Sequence, residues 1–129
     1  MLKRLTVPAW VRRHQFTYSD YRSAAAERIE AIRRGLENLK APSPAVSIVI
    51  PAYNEEKELL NTLSSLSELQ PDRPTELIIV NNNSTDGTQE ILDMTGVRSI
   101  MVKQQGVTYA RQAGLELAKG QYILSGDAD

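Results

Sequence analysis

From residue 46 onward, four short apolar runs alternate with amphipathic segments, and this alternation narrows the fold more than any other feature. VSIVI at 46–50, LIIV at 77–80, SIMV at 99–102 and YIL at 122–124 are short, as strands are, and the first is rich in β-branched residues. LIIV has no polar alternation, which marks a strand covered on both faces. Between the runs, Leu59, Leu63, Leu66 and Leu69 recur at helical steps, and Ile91, Leu92 and Met94 form a second apolar face. Residues 109–119 carry a small inner face of Ala110, Ala113, Gly114 and Leu117, with Gly120 placed to end the helix. The order βαβαβαβ predicts an α/β fold with a Rossmann-like, doubly wound, mostly parallel sheet. In such sheets ligands lie beyond the carboxyl ends of the strands.

The two prolines of APSP at 41–44 forbid a continuing helix and favour an extended linker. The chain therefore divides into a basic helical arm at 1–40, a proline-rich linker at 41–45 and a domain at 46–129. Residues 1–18 mix Trp10, Phe16 and Tyr18 with arginines, without a period, whereas Ile29, Ile32, Leu36 and Leu39 predict a helix over 19–39. The arm holds nine Lys/Arg against four Asp/Glu, and the remainder six against twelve. Solvated helix faces account for such a split, and so does a basic arm that docks on an anionic surface, either a membrane or the acidic remainder of the protein. The absence of cysteine excludes thiol catalysis and cysteine-held zinc, and the single histidine, His14, leaves no histidine triad or metal cluster. No apolar run is long enough to span a bilayer and no signal peptide follows Met1, so a cytoplasmic location is expected. The body is acidic and carries no nucleic-acid motif, so no nucleic acid is expected as partner.

Three polar segments fall at predicted strand ends. In PAYNE at 51–55, Pro51 closes the first strand, Asn54 caps the next helix and Tyr53 offers a face to a flat ring. In NNNSTDG at 81–87, Asp86 caps a helix with Gln89 three residues on, and the amides suit the edge of a base or ribose. A calcium loop competes here, with Asn82, Ser84, Asp86, Gly87 and Asp93 on its pattern, but a strand precedes it and its first position is uncharged. In SGDAD at 125–129, a strand that persisted to the end would place Asp127 and Asp129 on one side. Such a pair suits a hard divalent cation shared with phosphate oxygens. Arg111 stands near a helix start, where it could clamp a diphosphate or pair with Glu116 or Glu90.

Taken in order, VSIVIPAYNE, IIVNNNSTDGT and YARQAGLELAKGQYILSGDAD resemble the donor half of family-2 glycosyltransferases, inverting enzymes with the GT-A fold. The resemblance covers 46–129 and implies roles residue by residue. Pro51, Ala52, Tyr53 and Glu55 match the segment that lines the nucleotide-sugar pocket. Asn82 falls where the base edge is read, while Asn81 stands where Asp is frequent. Asp127 matches the residue on the ribose or the metal, and Asp129 the one that holds Mn2+ or Mg2+ through the diphosphate. Arg111 lies in a stretch similar to A-R-N-x-G and is counted with the nucleotide-sugar-binding residues.

The activity implied is metal-assisted, inverting transfer of a sugar from a nucleoside-diphosphate sugar, with UDP favoured over GDP. The acceptor hydroxyl would belong to a carbohydrate or a lipid-linked molecule. Separately from the resemblance, the basic charge of residues 1–40 points to contact with the cytoplasmic face of the membrane. The catalytic base is expected beyond Asp129, which makes this chain an incomplete, inactive fragment. The alternative is a non-catalytic nucleotide-binding or assembly domain. A nucleotidyltransferase would instead show a glycine-rich basic loop after the first strand, which PAYNE is not.

Overall fold

In a computed structural model, which describes residues 21–128, the apolar runs form a four-stranded sheet. Its strands are β1 (Val46–Ala52), β2 (Thr75–Asn81), β3 (Ser99–Met101) and β4 (Tyr122–Ser125). All pairings are parallel, in the order β3-β2-β1-β4. The helices are α1 (Ala26–Leu36), α2 (Leu59–Ser67), α3 (Thr88–Thr95) and α4 (Val107–Leu117), with 3-10 turns at Tyr21–Ser23 and Glu37–Leu39. The chain winds outward from β1 to β3 and then returns to lay β4 on the other side of β1. The reversal leaves a crevice at the carboxyl ends of β1 and β4.

Period-two alternation sorts the strand residues between two helical layers. Leu77 and Ile79 pack with Ile32 and Leu36 of α1, Leu59, Leu60 and Leu63 of α2, and Ile91 and Leu92 of α3. Ile78 and Val80 face the other way, with Val49 and Ala110 of α4. Every residue of β2 is buried, as its unbroken apolar run requires. The small residues of α4 bring that helix close to the sheet: a Cβ on Gly114 would lie 2.3 Å from Val49 Cγ1. β4 is an edge strand, and Tyr122, Ile123 and Leu124 on it are 53%, 41% and 58% exposed.

Several boundaries differ from the sequence reading, each for a tertiary reason. Pro51 lies inside β1 rather than closing it. The Val49 carbonyl bonds toward β4, at Gly126, and the Ala52 carbonyl toward the β2 side, at Asn82. Pro51 therefore turns its missing N–H toward β4, whose pairing has already ended at Val49. Asn54 does not cap α2, which begins only at Leu59; its φ is +50° and its amide oxygen accepts the Thr85 N–H at 2.8 Å. Leu69 lies past the end of α2 and is 41% exposed, so it is not part of the apolar face.

Asp86 does receive the Thr88 N–H at 2.9 Å, but Gln89 bonds Asn81 and Asp93 rather than completing a capping box. Gly120 is not a helix terminator: α4 ends at Leu117, and Gly120 gives its N–H to Ser47 Oγ at 2.8 Å where the chain crosses β1. The helix expected over 19–39 is a 3-10 turn, α1 and a second 3-10 turn; residues 1–20 lie outside the described residues.

Candidate functional site

The crevice at the switch point is a cleft of about 290 Å3. Pro51, Ala52, Tyr53 and Glu55 line it from β1 and the loop that follows, and Asn82 from the end of β2. Gln105, Gly106 and Val107 enter from the start of α4, and Asp127 and Ala128 from the segment after β4. Of the described residues that the resemblance assigns to nucleotide-sugar or metal binding, all but Arg111 therefore line one cleft.

Two loops form one wall because they are stitched together. The Asn54 N–H donates to Ser84 Oγ at 3.0 Å and the Glu55 N–H to Thr88 Oγ1 at 2.9 Å. In return, the Gly87 N–H donates to Glu56 Oε2 at 2.9 Å. The hydroxyl and acidic residues of 84–88 thus satisfy backbone groups that a strand-to-helix turn leaves open. Tyr53 stands half-exposed on this wall.

Asn82 is buried and its amide is fully engaged within the protein. Nδ2 donates to the Val102 carbonyl at 3.2 Å and the Gln104 carbonyl at 2.8 Å, while Oδ1 accepts the Gly106 N–H at 2.9 Å. The side chain therefore shapes the loop 102–106, which carries Gln105, Gly106 and Val107 to the cleft. The sequence reading missed these three residues. Gly106 has φ +137°, a conformation that glycine adopts readily, and its place just before a helix was the available signal.

Across the cleft mouth, β4 ends at Ser125, before the first aspartate, so strand alternation does not set the orientation of Asp127. The Asp127 side chain is 76% exposed. The Arg111 guanidinium donates to Ser125 Oγ and lies 3.4 Å from Asp127 Oδ1, so this arginine braces the segment instead of pairing with Glu116 or Glu90. The Ala128 carbonyl accepts from Thr62 Oγ1 of α2 at 2.5 Å, which fixes the other side of that segment.

Among the described residues, no group of three or more acidic, histidine or cysteine side chains could hold a metal alone. Asp127 offers one solvent-facing carboxylate, an oxygen donor that matches Mn2+ or Mg2+, and Asp129 lies outside the described residues. This partial donor set fits a cation that takes its remaining ligands from a bound diphosphate.

The sheet order and the site at its switch point define a GT-A-type α/β domain, and solved structures share it. Glucosyl-3-phosphoglycerate synthase from Mycobacterium tuberculosis, in complex with Mn2+, UDP and phosphoglyceric acid, superposes with a TM-score of 0.60 at 24% identity. That match covers 78% of this chain and 37% of the other. A mannosyltransferase from Pyrobaculum calidifontis in complex with GDP-Man and Mn2+ gives 0.58 at 23% identity, over 81% of this chain and 36% of the other.

The family model for glycosyl transferase family 2 matches residues 47–129, and the chain belongs to that family. An uncharacterized glycosyltransferase of Bacillus subtilis (strain 168) is 33% identical over 64% of this chain and 22% of its own length. A poly(ribitol-phosphate) beta-glucosyltransferase of Bacillus spizizenii is 35% identical over 65% of this chain and 14% of its own length. The chain thus spans a quarter or less of these two relatives.

Proposed function

We propose that this chain forms the donor-nucleotide site of a family-2 glycosyltransferase that moves a sugar from a nucleoside diphosphate to an acceptor hydroxyl. The observation that carries the reading is the convergence of Tyr53, Asn82, Gly106 and Asp127, from four separate segments, on one cleft at the sheet's switch point. Tyr53 stacks on the base, and Asn82 sets the loop against which the base and ribose lie. The first turn of α4, whose N–H groups have no intrahelical partners, meets the diphosphate.

Asp127 and Asp129 are the residues that would hold Mn2+ or Mg2+, which when bound neutralises the charge growing on the departing nucleoside diphosphate. Arg111 keeps Asp127 in place. The acceptor oxygen attacks the anomeric carbon opposite the leaving group, which inverts its configuration, and a carboxylate takes the acceptor proton. That base and the acceptor site belong to the length that the relatives add. The exposed apolar edge at β4 supports packing of further structure there.

Calorimetric titration with UDP and with GDP, each with and without Mn2+, tests the reading on the wild type, Asp127→Asn and Asp129→Ala. Metal-dependent binding of UDP, tighter than GDP and weakened by both substitutions, is expected. Binding that ignores both the metal and the aspartates would refute the site. We further propose that residues 1–40 touch anionic membrane at its cytoplasmic face; no helix among the described residues is long and apolar enough to cross a membrane. Failure of the chain to sediment with anionic vesicles at low salt would refute that contact.

A further inference from the structure

Residues 21–39 precede the family match, yet they reach the loop that forms one wall of the cleft. Tyr21 is 3% exposed. Its ring occupies the space beside Gly87, where an added Cβ would lie 2.2 Å from Cε1. Gly87 has φ −78°, which any residue adopts, so the ring, and not the turn, demands a glycine there. The Tyr21 hydroxyl donates to Glu90 in the first turn of α3. Arg22 donates to the same carboxylate at 3.1 Å and 3.3 Å and lies 4.9 Å from the Tyr21 ring centre. At the far end of α3, Arg33 Nη1 donates to the Met94 carbonyl at 2.7 Å. The N-terminal segment thus grips α3 at both ends.

We infer that Tyr21 is a positioning residue for the nucleotide site. By filling the space at Gly87, it fixes the loop whose N–H at that residue is bonded to Glu56, and through it the Tyr53 and Glu55 wall. The inference rests on the donor-site reading above. A supporting residue of this kind is worth roughly tenfold in the affinity of the group it orients.

The test measures UDP affinity with Mn2+ for the full chain, wild type and variants, beside circular dichroism and thermal unfolding. Tyr21→Phe keeps the ring and is expected to bind within about twofold of wild type, and Tyr21→Ala to bind roughly tenfold more weakly with its circular dichroism unchanged. Gly87→Ala should weaken binding to a similar degree, because its methyl group meets the ring. In the double variant the methyl enters the space the ring has left, so affinity should recover part of the way, a coupling that general destabilisation does not produce. Should Tyr21→Ala not fold, Tyr21→Leu replaces it in the same comparison. Wild-type affinity in the alanine variant, or strictly additive losses in the double variant, would overturn the inference while leaving the donor site standing. A wild-type chain that binds no nucleotide would overturn both.

Discussion

Replacing Asn82 by Asp changes one atom type and should be more damaging than its size suggests. The orientation of the wild-type amide is fixed by chemistry: the Gly106 N–H only donates, so it must meet Oδ1, and the Val102 and Gln104 carbonyls only accept, so they must meet Nδ2. Asn82→Ala removes all three bonds. At about 1 kcal/mol each, less for the bond to Gln104, an exposed residue, the loss is about 2–3 kcal/mol. Asn82→Asp keeps the bond from Gly106 but sets an oxygen against two carbonyl oxygens, so at neutral pH its cost should at least equal that of alanine.

The introduced carboxyl is disfavoured in its charged form, so its pKa rises on folding from an unfolded value of about 3.9. The deficit therefore grows as pH climbs above about 4 and is smallest below that, where the carboxyl is protonated and can donate. At roughly 4 °C per kcal/mol for a domain of this size, thermal unfolding at pH 7 should fall by about 10 °C for either variant. The gap for Asn82→Asp alone should narrow in acid. An aspartate variant melting within about 2 °C of wild type at pH 7 would show that the Asn82 amide does not hold the loop.

Other consequences follow from particular contacts. Gly114→Ala forces a methyl group to within 2.3 Å of Val49 Cγ1 and should cost about 1–3 kcal/mol in urea unfolding, since α4 and the sheet must separate. Glu76 is 3% exposed and accepts from Ser47 Oγ at 2.5 Å, the Lys119 N–H at 2.7 Å and Arg98 Nη1 at 2.8 Å. Arg98→Ala leaves the first two donors in place and should cost about 1–2 kcal/mol by urea unfolding, whereas Glu76→Ala strands buried donors and should cost more. Arg111→Ala should leave unfolding within about 0.5 kcal/mol of wild type, because the Asp127 contact is exposed, yet weaken Mn2+-dependent UDP binding measured by calorimetry.

What the sequence discloses here is what depends on local pattern. The LIIV run announces a strand buried on both faces, and the alternation of strands and helices gives the parallel sheet. That sheet in turn brings Tyr53, Asn82 and Asp127 to one end. Features that depend on contacts between distant segments are not legible. Asn54 looks like a helix cap, but Ser84 and Thr85 of another loop claim its polar groups. Gly87 and Gly120 read as turn or end residues, whereas a tyrosine ring and a neighbouring strand dictate them. Tyr21, one aromatic in a basic stretch, carries no periodic signal of its burial. Pro51 is tolerated in a strand only because β4 is shorter than β1, and no reading of 46–52 alone reveals that.

Where the nucleotide sits can be read from NMR mapping of amide shifts on adding UDP and Mn2+ to the 129-residue chain. The largest changes are expected on Tyr53, Asn82, Gly106 and Ala128, at the carboxyl ends of the strands, with Glu76 and Gly120 at the opposite end unmoved. Shifts centred on Glu76 and Gly120, with the switch-point cleft silent, would mean that the nucleotide binds elsewhere.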